Sequence, residues 1–96
     1  MLGELKEYLR VTWSDESTDR VLSGILERGK ALLNGYATQV IDYDEKPEHK
    51  QLLFDCCRYL YNNAFEEFAV NFLSELVMLR AEYRTAEVVD DEAEEG

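Results

Sequence analysis

Residues that carry most protein chemistry are scarce in this chain of 96 residues. There is one histidine, and glycine-rich phosphate loops and the Asp/Asn ladder of a calcium site are absent. The neighbours of His49 are charged, so we expect a solvated side chain rather than a base or a metal ligand. The composition therefore predicts no catalytic site, no metal and no cofactor.

Cysteine is limited to one adjacent pair, Cys56 and Cys57. On a helix two neighbouring side chains diverge by about 100°, which disfavours a disulfide between them. No CxxC pair or histidine cluster is present to complete a zinc site. We predict two reduced thiols that serve as small apolar core residues.

Long apolar runs are missing too. No stretch approaches the roughly 20 residues that a membrane-spanning helix needs. The first ten residues, MLGELKEYLR, carry acids and lack the apolar region of a signal peptide. We expect synthesis in the cytosol.

Positive charge is scarce, because 10 lysines and arginines accompany 21 aspartates and glutamates, for a net charge of −11. Six carboxylates fall in residues 86–96, which leaves 10 basic and 15 acidic residues in the rest. The sequence predicts one helical domain, residues 1–85, and an acidic tail, residues 86–96, disordered unless a partner orders it. Ordinary nucleic-acid binding is disfavoured.

What remains is apolar periodicity, which predicts an all-α bundle of four helices, one short and three longer. Leucines at i, i+3 and i+7 indicate a first helix that ends near Arg10, and Ser14 or Ser17 is predicted to cap the second. The apolar stripe of the second helix is Val21, Leu22, Ile25, Leu26, Leu32, Leu33 and Tyr36. Gly29 lies in the same arc, where we expect close approach of another backbone. Asn34-Gly35 is predicted to end this helix.

A loop is predicted at about residues 37–46, after which Pro47 opens the third helix. One face of that helix is formed by Leu52, Leu53, Cys56, Tyr59 and Leu60. At Asn62-Asn63 we predict a joint between two helices, with Asn63 and Glu66 forming a capping box. One continuous bent helix is the alternative. The last helix has the stripe Phe65, Phe68, Phe72, Leu76, Leu79 and Tyr83.

Several residues lie outside these stripes. Phe54 and Tyr61 point away from the main face of the third helix, and Val70 and Val77 form a second line on the fourth. They need cover from another helix or another subunit, or they close the chain's own core. Arg80, with Arg84 one turn on, is either a core-edge residue or a contact to a partner's carboxylate. These additional apolar faces indicate a subunit of an assembly.

Three segments together resemble the head–tail connector (adaptor) proteins of tailed bacteriophages. They are LKEYLRVTWSDESTDRVLSGILERGKALLNGYA, LLFDCCRYLYNNAFEEFAVNF and LSELVMLRAEY, within residues 2–84. The shared positions are Tyr59, Asn62 or Asn63, Ala64, Glu66 or Glu67, Phe68, and Leu79-Arg80-Ala81-Glu82-Tyr83. Ala37, where a glycine is common, and the acidic tail depart from the pattern.

The resemblance implies a structural virion protein, made in the bacterial cytoplasm, that forms a ring of about twelve subunits below the portal. The ring would contact the portal and a tail-completion or stopper protein, and DNA would pass through it without specific binding. Arg80, Tyr83 and Arg84 would then lie near a subunit or portal contact. The alternatives are an acidic DNA mimic and a generic helical adaptor that binds a basic partner.

Overall fold

The computed structural model describes residues 1–12 and 15–83, and this part of the chain is helical without any strand. The helices are α1 (Leu2–Leu9), α2 (Glu16–Ala37), α3 (Pro47–Tyr61), α4 (Phe65–Asn71) and α5 (residues 73–83). The predicted all-α class is confirmed. The predicted number of four helices is wrong, because the last one is divided at Phe72. The predicted cap Ser14, Arg84 and the acidic tail lie outside the described residues.

The packed pair of α2 and α3 organises the core, which α1, α4 and α5 complete. Seven side chains are almost completely buried: Phe68, Leu5, Leu22, Leu33, Leu53, Cys56 and Cys57. Burying each large apolar side chain contributes roughly 1.5–3 kcal/mol. The second-helix stripe is largely confirmed, except that Val21 is exposed. Gly29 is buried, but side chains of α3 approach it, not another backbone as predicted.

The start of α2 differs from the prediction. Asp15 is the N-cap, and its carboxylate accepts a hydrogen bond from the Thr18 backbone N–H at 2.7 Å. Ser17 lies within the helix. Aspartate is as good an N-cap as serine, and this carboxylate also gains from the positive end of the helix dipole.

The end of α2 also differs, since the helix continues through Asn34-Gly35 to Ala37 and Thr38 takes the left-handed conformation with φ 60°. The Asn34 side chain serves the following loop instead. Its Oδ1 accepts hydrogen bonds from the Ile41 N–H at 3.2 Å and from the Tyr43 hydroxyl at 2.9 Å. These tertiary bonds outweigh the local preference of asparagine for a helix end.

The joint after α3 is a complete turn, which confirms two helices but not the capping box. Asn63 is left-handed with φ 55°, and its N–H donates to Leu60 O at 3.1 Å. The Ala64 N–H donates to Tyr59 O at 2.8 Å. This is a Schellman motif, so Asn63 ends α3 rather than starting α4. The N-cap of α4 is Ala64, without a side-chain cap.

The break between α4 and α5 is centred on Phe72, whose φ of −111° and ψ of 21° leave helical geometry. Its ring stacks on Phe68 with centroids 4.8 Å apart and meets the edge of Tyr59 at 5.7 Å. Backbone hydrogen bonds continue on both sides, from the Phe72 N–H to Phe68 O and from the Leu76 N–H to Phe72 O. We attribute the bend to this aromatic packing, which periodicity alone does not reveal.

Candidate functional site

The last two helices carry four exposed apolar side chains, three of them spaced by three and four residues along the chain. We name this set the apolar stripe; it consists of Val70 (74% exposed), Leu73 (60%), Val77 (58%) and Met78 (71%). The inward side of the same segment is filled by Phe68, Leu76 and Leu79. The stripe is therefore an additional apolar face that the chain's own core does not use.

A second apolar feature lies where α2 begins and α3 ends. Val21 is 55% exposed and Tyr61 36% exposed, and both line a shallow cleft of about 160 Å³ with Ser17, Thr18 and Leu22. We name this cleft the Val21–Tyr61 notch. Val21 was predicted to be in the core. Val21 is the first apolar residue on the core face of α2, and α3 ends at Tyr61, before a further helical turn could cover the Val21 side chain.

A third feature is a cleft of about 330 Å³ between α2, α4 and α5, which we name the Phe65 cleft. Leu32, Gly35, Tyr36, Phe65 and Arg80 line it. A larger neighbouring cleft of about 460 Å³ shares Phe65 but also has Arg28, Glu66 and Glu67 in its wall. Neither cleft is predictable from periodicity, because the walls of each come from segments that are distant along the chain.

The predicted interface residues occupy different environments. Phe54 is buried, and its ring packs 5.8 Å from Tyr8 of α1, so its cover lies within the chain. Tyr61 lines the notch, and Val70 and Val77 belong to the apolar stripe. The remaining three are Arg80, which is exposed at the Phe65 cleft, Tyr83, which is partly buried, and Arg84, which lies outside the described residues.

The expectation of a solvated His49 is wrong, because this side chain at the start of α3 is buried against the end of α5. His49 Nε2 lies 3.1 Å from Glu82 Oε2, and its ring is 6.0 Å from that of Tyr83. Lys46 also bonds the Glu82 carboxylate and holds the pKa of that carboxyl below its usual value, with a further contribution from His49. This cluster fixes the end of α5 on the start of α3, which we interpret as a structural role.

The other reactive side chains are also structural. Cys56 and Cys57 are free and fully buried, as predicted, and burial raises the pKa of each thiol to about 12. A thiol in this state is a poor nucleophile at neutral pH. Within residues 1–12 and 15–83, no group of His, Cys, Asp and Glu is arranged to hold a metal ion, and no helix could cross a membrane.

The lysines do not form a basic patch, since each one is paired with a carboxylate. Lys6 Nζ lies 2.7 Å from Asp19 and Lys30 Nζ lies 3.7 Å from Glu27. Lys50 Nζ lies 3.1 Å from both Glu4 and Asp44, and Lys46 contacts Glu82. Paired lysines offer little charge to a phosphate backbone.

No family model, curated protein or solved structure matches this chain.

Proposed function

We propose that this chain is a non-catalytic structural protein that acts by assembling with copies of itself and with partner proteins. The apolar stripe is the observation that supports this proposal most. Four large apolar side chains in neighbouring positions, each more than half exposed, favour burial against another surface. Burying them stabilises a complex at roughly 25 cal/mol per Å² of apolar area, before the costs of association.

The contact that we propose is heterologous, with the apolar stripe of one copy in the Val21–Tyr61 notch of the next. The two surfaces differ in shape, because the stripe is the outer face of helices and the notch is a depression between helix ends. A contact between different surfaces leaves each copy with one of each still available, so it generates rings when the rotation closes.

Within this class we propose a head–tail connector of a tailed bacteriophage. The resemblance over residues 2–84 supports it, and so does the charge distribution. A ring through which DNA slides must not retain the phosphate backbone, and a net charge of −11 favours repulsion of that backbone over retention. Its mechanism would be positional: the ring joins the portal to the tail and keeps the DNA channel continuous.

The acidic DNA mimic is less well supported. Such a protein needs unpaired carboxylates spread over its folded surface. Here six of the 21 carboxylates, more than half of the excess negative charge of 11, lie in residues 86–96. Five of the 15 carboxylates in residues 1–85 are bound to lysines: Glu4, Asp19, Glu27, Asp44 and Glu82. A generic helical adaptor would use the same apolar stripe, but would bind a host protein instead of a portal.

Electron microscopy of the purified protein, alone and mixed with portal protein, tests the connector proposal. Rings with a central hole, or an added layer below the portal, are expected. Val77→Asp should abolish them, because a desolvated carboxylate would face the apolar contact. Val40→Asp is the matched control, since Val40 is 84% exposed in the loop and belongs to neither surface. A protein that never associates with itself or with portal would contradict the proposal.

A further inference from the structure

We infer that the Phe65 cleft is the binding site for the acidic C-terminal segment of the same chain, residues 87–91. The segment reads Glu87-Val88-Val89-Asp90-Asp91, and only three residues separate it from Tyr83, the last described residue. This docking requires neither a ring nor a portal, so it can be tested whatever the outcome for the proposed function.

The side chains that line the Phe65 cleft favour a ligand with both apolar side chains and carboxylates. Leu32, Tyr36 and Phe65 give it apolar walls, Arg80 supplies one cation, and no carboxylate of the described residues lines it. The neighbouring cleft has Glu66 and Glu67 in its wall, and these would repel an acidic segment. The Phe65 cleft is therefore the site that we assign.

Arg80 is available for such a contact. Each of the four lysines has a carboxylate partner, whereas Arg80 has none among residues 1–12 and 15–83. An arginine beside an apolar wall binds a carboxylate in a fork geometry and gives the contact direction as well as charge. An occupant with both apolar side chains and carboxylates fits this site.

The segment 87–91 has that composition, with two valines between carboxylates. Its reach is also sufficient. Arg80 lies one helical turn before Tyr83, and residues 84–87 can span up to about 13 Å when extended. A tethered segment this close to its site has a high effective concentration, so a weak contact is enough to keep it bound.

The helix dipole of α2 disfavours a carboxylate beside one wall of the cleft. Gly35 and Tyr36 lie in the last turn of α2, where the helix carries its negative end. We therefore expect a valine of the segment, not a carboxylate, at the α2 wall, and a carboxylate at Arg80.

The test is proton–nitrogen NMR on the full-length protein. Gly35 lines the cleft, and Gly24 is exposed on the same helix far from it along the chain. The variant Val88→Ser with Val89→Ser should shift the Gly35 amide resonance and leave that of Gly24 in place. In Arg80→Gln, the heteronuclear NOE of residues 87–91 should fall toward the value of a free chain. Glu94→Gln with Glu95→Gln, outside the segment, is the matched control and should change neither signal.

A Gly35 resonance that is indifferent to the valine substitutions would overturn the inference. So would a Gly35 shift that changes on dilution, because it would mean that the segment comes from a second copy. Arg80 is exposed, and the circular dichroism of each variant should match that of the wild type, which separates loss of the contact from loss of the fold.

Discussion

The glycine in the middle of α2 gives the sharpest prediction about the fold. An ideal Cβ built on Gly29 would lie 3.0 Å from Cys57 Sγ and 3.2 Å from Leu53 Cδ1. These distances are shorter than the roughly 3.5–4.0 Å of an optimal contact. Gly24, in the same helix, has no such neighbour within 4 Å. The two glycines therefore separate helix propensity from packing.

Replacing Gly24 by alanine should stabilise the protein by about 1 kcal/mol, since alanine is the better helix former. Gly29→Ala gains the same propensity, but the added methyl overpacks the α2–α3 contact at a cost of about 1–3 kcal/mol. Gly29→Ala should therefore be less stable than Gly24→Ala by about 1–3 kcal/mol. Urea unfolding followed by far-ultraviolet circular dichroism measures both free energies.

A double-mutant cycle with Cys57→Ala identifies the cause. Without Sγ, the methyl at position 29 meets the end of the Leu53 side chain, which can move, and Leu60 Cδ1 at an ordinary contact distance of 3.9 Å. The effect of Gly29→Ala in that background should approach the effect of Gly24→Ala. If Gly29→Ala stabilises the wild type as much as Gly24→Ala does, or if removing the sulfur changes nothing, the packing explanation is wrong.

Three further predictions concern the helix ends and the titratable groups. Asn63 has a positive φ, so Asn63→Gly should be neutral or slightly stabilising and Asn63→Ala should destabilise the protein by about 1 kcal/mol. Thermal unfolding compares the two variants, and equal melting temperatures would contradict this prediction. Lys46 holds the pKa of the Glu82 carboxyl low, so the stability that the ionised carboxylate contributes is present at neutral pH and is lost as the pH falls through that pKa. Glu82→Gln should therefore reduce the loss of unfolding free energy on acidification. The control Glu75→Gln, at an exposed position, should leave that loss unchanged. Burial raises the pKa of both thiols to about 12, so the free energy of unfolding should fall above about pH 9, where the thiols of the unfolded chain ionise. A thiol reagent should also label the native protein far more slowly than the urea-unfolded chain, and equal labelling rates would refute the burial.

The spacing of residues along the sequence predicted the features of the fold that depend on local helix geometry. The leucine and phenylalanine spacing located the helices and most of the buried residues, and Pro47 marked the start of α3. Glycine within the apolar arc of α2 is the exception: the backbone approach predicted there is wrong, and side chains of α3 approach Gly29 instead. For the leucine and phenylalanine spacing and for Pro47, local geometry is sufficient. In these cases the side chain's own geometry, and not its distant neighbours, determines the outcome.

Tertiary contacts decided the points that the sequence did not reveal. Asn34 continues α2 because its side chain bonds the loop at Ile41 and Tyr43. His49 is buried because the end of α5 packs against it, and Glu82, 33 positions later in the chain, contacts its ring nitrogen. Phe54 is covered by Tyr8 of α1, and the spacing of apolar residues within α3 does not predict that α1 packs there.

The candidate surfaces show the same division. Val70 and Val77 were predictable as a second apolar line, because they are seven positions apart, which is about two helical turns, although the structure places Val70 on α4 and Val77 on α5. Leu73 and Met78 join them only once the bend at Phe72 is known. The notch and the Phe65 cleft combine residues from distant segments, so only the folded chain reveals them.

Sedimentation velocity on two variants and their mixture tests the assembly most directly. Val77→Asp removes the stripe and Val21→Asp removes the notch, so each protein alone should be a monomer. Mixed together they should form dimers and nothing larger, because each retains one intact surface, whereas the wild type should form larger closed assemblies. Wild-type protein that sediments as a monomer at every concentration, alone and with portal protein, would contradict the account.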